Sequence, residues 1–374
     1  MGFALRTRLL VVAGAVALCL QSHALTWSMR EVTVPGQSDL RITGINNAGQ
    51  MAVHTSINSR VFRVSTSGQI ESLVNSEYNL YQTISGGINE NGEVAVWGYG
   101  YSGNPLQKVS CWTPGVGITS LVVPTVAGYY EVQTYAINNS RVAVGRALDT
   151  RETGSSGNGF ATVYSPTTGM PLTPGYWDGY NMARDVDEAG NIVGCVNLDP
   201  ILWRANGTYV DLTQPSSYGS ATAINSSGLI SGTLNDINGK HLAIWNTSGQ
   251  LLHKIYIGDR VNDPSPPTES TYMNENGEVV VTVLRNGVAR NYMWSQSTGL
   301  MDITSSFTNT GGARLNLVGI NNRREIIAAG YIGSVYKQNL LLTPVPEPSE
   351  LIVLGVGLVG VVLRRRRRKS AATG

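Results

Sequence analysis

The residues in this chain best suited to chemistry are carboxylates. Glycosidic cleavage usually takes two acids ~5 to ~9.5 Å apart, one to protonate the leaving oxygen and one to attack or to activate water. Asp149 with Glu152, Asp178 with Asp187, and Asp259 with Asp263 are the candidate pairs, but none recurs and none sits in a supporting motif. His54, His241 and His253 lack the short spacing of a metal site. Gly-x-Ser-x-Gly, the nucleophile elbow, does not occur. Asn235-Asp236-Ile237-Asn238-Gly239 has one carboxylate and no distal glutamate, so it reads as an Asn-Gly hairpin rather than a calcium loop. Gly154 to Gly159 follows no strand-to-helix pattern and reads as a hairpin tip, not a phosphate loop. These residue types favour a non-enzymatic protein without cofactor or metal. The alternative is a secreted glycosidase or lyase acting on polysaccharide.

Both chain ends carry addresses. Arg6 and Arg8 precede an apolar run from Leu9 to Leu20 and the small-x-small site Ser22-His23-Ala24, the pattern of a signal peptide cut after Ala24. Near the other end, Val345, Pro346, Glu347, Pro348 and Ser349 lead to an apolar run from Leu351 to Leu363, then to Arg364, Arg365, Arg366, Arg367, Arg368 and Lys369. The two prolines hold the backbone extended and remove two amide donors, so this stretch is expected to be exposed. As a helix the apolar run is ~20 Å long, enough to span the ~30 Å hydrocarbon core with thinning and snorkelling. The basic cluster stays cytoplasmic. This three-part tail resembles the PEP-CTERM sorting signals of Gram-negative bacteria. The resemblance implies Sec export, recognition by an exosortase, removal of the tail, and display at the cell surface or in the extracellular matrix. A permanently anchored receptor is the other reading of the same helix.

Residues 25–344 remain as the folded body, between the signal peptide (1–24) and the sorting signal (345–374). The net charge of +2 belongs largely to the two addresses, which hold eight basic and two acidic residues. Without them 19 basic and 23 acidic residues remain, a net of −4 that carries no nucleic-acid footprint. Glycine is 43 of 374 residues and only 14% are charged, which favours short strands and turns over helices. Cys111 and Cys195 fall in different repeats, beyond the ~7 Å Cα limit for a disulfide, and are expected to be buried thiols.

One phrase recurs seven times along the body, with its key position at Asn46, Asn89, Asn138, Asp187, Asn225, Asn274 and Asn321. The intervals are 43, 49, 49, 38, 49 and 47 residues, the range of propeller blades. The phrase is turn chemistry. The Asn or Asp accepts a hydrogen bond from the backbone two residues on, and a glycine three positions later closes the hairpin in the left-handed region. Each copy is expected to be locally self-sufficient rather than part of a ligand ring. A β-branched run follows, then an aromatic strand (Phe62, Trp112, Tyr164, Trp203, Trp245, Trp294) read as a packed wedge, then one further strand. Four strands repeated seven times predict an all-β, seven-bladed propeller. The last unit lacks a fourth strand, and Trp27 to Val34 is predicted to supply it, removing an open edge.

These repeats resemble the extracellular HAF family, whose units carry an Ile-Asn-x-x-Gly hairpin before an aromatic strand. The resemblance implies a secreted, propeller-like protein and assigns no activity. Asp187 departs from the pattern, as do Ser140-Arg141 and Arg323-Arg324 where glycine is expected, so altered turns are predicted there. The segments between units hold Tyr78, Tyr81, Tyr129, Tyr130, Tyr176, Trp177, Tyr180 and Tyr218. Placed on one rim, these aromatics would suit exopolysaccharide or another surface protein. The alternative is that they cover blade junctions.

Overall fold

The computed structural model describes residues 25–55, 60–73, 82–99, 108–124, 129–149, 159–173, 181–258, 270–285, 288–308 and 314–345. They are nearly all strand, with a single 3-10 turn at Thr304–Ser306. Each Asn phrase joins the first strand of a unit to the second. The first strands are Leu40–Ile45, Gln82–Ile88, Tyr129–Ile137, Met182–Val186, Tyr218–Ile224, Thr271–Met273 and Arg314–Ile320. Units two to six are separate four-stranded antiparallel sheets. Unit one, unit seven, Trp27–Glu31 and the two-residue strand Phe307–Thr308 form a nine-stranded sheet, in which Arg41 faces Gln338 across the one parallel contact between the two units.

The second strands explain the β-branched runs. Ile192–Val196 is buried along its whole length, as are Val279, Val280 and Val281, because sheets pack on both faces. Apolar clusters join every pair of consecutive units. Ala52 and Val61 of unit one meet Val94 and Trp112 of unit two, for example, and Ile327 and Leu341 of unit seven meet Leu40 and Val53 of unit one. The aromatic-strand residues are all buried, from 0% for Tyr164 and Trp245 to 6% for Trp112. Cys111 and Cys195 are free and buried.

Trp27–Glu31 does pair antiparallel with Val335–Pro344, the third strand of unit seven, with Trp27 opposite Pro344. The N-terminal strand is shorter than the Trp27 to Val34 stretch that the sequence suggested. The indole of Trp27 is fully buried and its Nε1 donates to Arg324 O at 2.8 Å, beside the Asn phrase of unit seven. Strand directions then fix the two ends of the body. The third strand of unit seven finishes on the side of the Asn phrases. The described strand ends that lead from one unit to the next lie at the opposite end.

Six of the seven first strands carry a register shift just before the phrase, between Ile42/Gly44, Ser85/Ile88, Thr134/Ala136, Ala183/Asp185, Ala221/Ala223 and Leu317/Gly319. A bulge of this kind re-aims one side chain. Close backbone approach accompanies it: a Cβ at Gly194 would lie 2.0 Å from Met182 O, so only glycine fits there.

Candidate functional site

The Asn phrases build a collar that reaches beyond each turn. The key Oδ1 accepts the amide four residues on in all seven copies, at 2.7–3.0 Å. A bond from two residues on occurs as well at Asn138 and Asn321. The side-chain amide, which the turn leaves over, donates to the backbone of the next unit. Asn46 Nδ2 reaches Asn89 O (3.0 Å), Asn89 reaches Asn138 O (2.9 Å), Asn138 reaches Asp187 O (3.0 Å), Asn225 reaches Asn274 O (3.5 Å), Asn274 reaches Asn321 O (3.1 Å) and Asn321 returns to Asn46 O (3.0 Å). The expectation of self-sufficient turns is therefore corrected: each is both a turn and a tie. Asp187 has no amide to donate. At that junction Asp185 Oδ2 accepts the amide of Ile224 instead, at 2.9 Å.

A second tier uses the next residue of each phrase. The backbone amides of Asn47, Glu90, Asn139, Ser226, Glu275 and Asn322 donate to the side chains of Glu90, Asn139, Glu188, Glu275, Asn322 and Asn47. Burial raises the carboxyls of Glu90 and Glu188 above the usual range; the amides they accept oppose this, and the charge of Glu275 adds to it.

The phrase variants are matched. Asn89, Asn274 and Asn321 donate to Glu93, Glu278 and Glu325, and Asn46 donates to Gln50. Where Asp187 stands, the polarity inverts and Asn191 donates to it at 2.8 Å. The two arginines in glycine slots make the same turn as the glycines, with φ of 61° at Arg141 and 58° at Arg324, so the predicted altered turns are not found.

Below the collar, toward the inter-unit connections, the first strands surround a cavity of about 450 Å³. Its wall takes residues from all seven, and the bulge position, three before the key residue, supplies Thr43, Gly86, Tyr135, Arg184, Thr222 and Val318. Arg41, Gln133, Ser270 and Tyr272 complete much of the polar lining. The Arg184 guanidinium stacks over Tyr135, its Cζ 5.3 Å from the ring centre. His54, also on the wall, is held down to about 4 by burial and by the charge of Arg41, so it is neutral near pH 7. Sequence reasoning missed this wall. Its signal was a position of the phrase, three before the key residue, that varies widely in size and charge.

The other sequence candidates are scattered or undescribed. Tyr78, Tyr81, Tyr176, Trp177 and Tyr180 lie outside the described residues, as do the side chains of Tyr129 and Tyr130, which open the first strand of unit three. Tyr218 is half-buried at the start of its strand. Each candidate acid pair has a member outside the described residues. His241 and His253 lie on the third and fourth strands of unit five. Among the described residues, no group of three or more His, Cys, Asp or Glu could hold a metal ion. Ala24, Pro346 to Ser349, Leu351 to Leu363 and the basic cluster Arg364 to Lys369 are likewise outside them. Among the described residues no helix is long and apolar enough to cross a membrane. Val345 is 42% exposed, and its amide donates to Thr26 O at 2.9 Å, so the first and last described strands bring the two ends of the described chain side by side.

No curated protein matches the chain. Among solved structures, a streptogramin B lyase aligns over 86% of this chain and 98% of its own, at 12% identity and a TM-score of 0.51. An inactive variant of virginiamycin B lyase from Staphylococcus aureus aligns over 85% and 100%, at 13% identity and a TM-score of 0.50. A prolyl endopeptidase aligns over 86% of this chain but only 51% of its own, at 11% identity and a TM-score of 0.52. At such identities the likeness concerns the fold alone, a nearly all-β, propeller-like architecture. Residues 344–368 match the PEP-CTERM protein-sorting motif, which marks the chain as an exported, exosortase-sorted protein made as a membrane-anchored precursor.

Proposed function

We infer that this is a non-enzymatic binding module of the cell surface or extracellular matrix: a closed, seven-bladed propeller of HAF-type units that recognises exopolysaccharide or a surface glycan. Closure is supported by the Asn321 to Asn46 tie and by the apolar cluster between units seven and one. The observation that carries the function is the position of the cavity. Val345, which leads to the sorting signal, lies at the collar end, and the cavity lies below the collar on the other side, where an extracellular ligand would meet it with the precursor anchored. Binding is favoured over cleavage because, among the described residues, no carboxylate lines the cavity, whereas glycoside hydrolysis usually needs a pair.

Two measurements on protein recovered from its native host test this. Intact mass of the released fraction should end near Val345 to Ser349, and the released protein should retain glycans on an array without shortening them. A mass that keeps Leu351 to Gly374 would favour a permanent receptor. Shortened glycans would favour the glycosidase or lyase reading.

A further inference from the structure

The cavity wall has a charge pattern that narrows the ligand. Two guanidiniums stand on it, Arg41 on the first strand of unit one and Arg184 at the bulge of unit four. Arg41 is exposed and Arg184 half-buried. Among the described residues neither forms a salt bridge with an acid. The acid beside Arg184 in sequence, Asp185, is already engaged: its Oδ1 accepts the amide of Val186 and its Oδ2 that of Ile224, both at 2.9 Å. Arg184 Nε is buried and has no hydrogen-bond partner, and the same holds for Thr134 Oγ1 on the same wall. A guanidinium is always charged and carries only donors, so a buried N–H without an acceptor is a costly group to keep. Stacking on Tyr135 fixes its plane without supplying that acceptor.

We propose that the cavity binds the carboxylate of an acidic sugar, with Arg41 and Arg184 as its charged donors and the rings of Tyr135 and Tyr272 as the surface for the pyranose. This rests on the binding reading above and names its ligand class. A fork of N–H donors matches a carboxylate in shape and charge, and aromatic faces suit a sugar ring. Burial raises the Tyr272 hydroxyl above its ordinary range, so it stays a donor near neutrality. His54 is neutral there and leaves the two guanidiniums as the charged donors. The volume, about 450 Å³, lies in the usual range for small-ligand pockets, about 300 to 1,000 Å³.

The test is calorimetric titration of the full processed protein with glucuronate, glucose and inorganic sulfate. Glucuronate is expected to bind about ten-fold or more tightly than glucose, to weaken as ionic strength rises, and to be displaced by excess sulfate. R41Q and R184Q should each lower its affinity about ten-fold, with circular dichroism and melting temperature kept. R184K, which keeps the charge without the fork, should fall between R184Q and the parent protein. Equal affinity for glucuronate and glucose overturns the inference, as does an R41Q/R184Q double variant that binds glucuronate unchanged, or sulfate binding with no glucuronate binding. Retention of neutral glycans on the array would then leave the wider binding reading standing. Loss of all glycan binding would overturn both.

Discussion

Arg141 Nε lies 2.7 Å from Glu93 Oε1, joining a left-handed turn of unit three to a carboxylate of unit two that is only 3% exposed. Arg324 and Glu278 repeat the relationship between units seven and six, at 2.8 Å. In both places a glycine has been given up and a positive φ accepted so that a cation can reach back to a buried acid. The strain of a non-glycine residue there is about 1 kcal/mol, whereas a buried carboxylate stripped of a partner costs more. Asn89 and Thr113 still hydrogen-bond Glu93 when Arg141 is removed, and Arg141 is more than a third exposed, so only part of that larger cost applies. Arg141→Gly should therefore destabilise by about 1–2 kcal/mol, and Arg141→Ala by about 1 kcal/mol more, because alanine keeps the strain without the ion pair. Urea midpoints of the three proteins measure the order. Alanine above glycine in stability would refute the account.

The pairing of each Asn with the residue four on gives a second contrast. Asn46→Asp and Asn274→Asp both remove a tie to the next unit. At Asn46 the partner is Gln50, whose amide can turn and donate to the new carboxylate. At Asn274 it is Glu278, and two carboxylates would face each other in a buried site. Asn46→Asp should cost about 1–2 kcal/mol and Asn274→Asp about 3–5 kcal/mol. Thermal unfolding of the two variants side by side decides it. Equal losses would mean that only the inter-unit tie matters.

Much of this was legible in the sequence because turn chemistry is local. An Asn phrase, a left-handed glycine and a β-branched run each declare themselves within six residues, and the count of phrases supplied the repeat. The Trp27 strand was legible too, since a unit short of one strand needs one. What was hidden depends on neighbours about 49 residues away. The tie from Asn138 to Asp187 O and the reach of Arg141 to Glu93 look like turn variants or lapses until the units stand side by side. The cavity wall was hidden for a different reason. A bulge breaks strict alternation, so Tyr135 and Arg184 face a direction that period-two reasoning assigns to their neighbours.

Asp185 should give stability an unusual slope near neutrality. Burial pushes its carboxyl up to about 7; the amides of Ile224 and Val186 oppose this, and the charges of Glu275 and Asp187 add to it. A raised acid binds its proton more tightly folded than unfolded. Its favourable contribution is thus full below the unfolded value, near 4, and is lost as pH rises through about 7. Urea midpoints should fall between pH 5 and pH 8, and Asp185→Asn should flatten that fall while lowering the plateau, since one amide loses its acceptor. A slope unchanged by the substitution would place its origin elsewhere.

The N-terminal strand should control self-association as well as stability. Trp27 is fully buried, edge-on to Phe307 at 5.8 Å between ring centres, and its indole N–H is satisfied by Arg324 O. Truncation to alanine removes that packing and the bond, at about 3–5 kcal/mol. Arg30→Pro acts differently. The alternation that sets Val32 N on Asn339 O places the Arg30 amide on the ladder opposite Leu341, so proline there blocks the antiparallel pairing and uncovers Leu340–Leu342 as an apolar edge. Both variants should melt earlier, but Arg30→Pro should also form concentration-dependent dimers or larger species in sedimentation velocity. Trp27→Ala, with its backbone pairing intact, should stay monodisperse below its melting point. A monodisperse Arg30→Pro protein would show that the edge is protected without the N-terminal strand, and the strand would then serve packing alone.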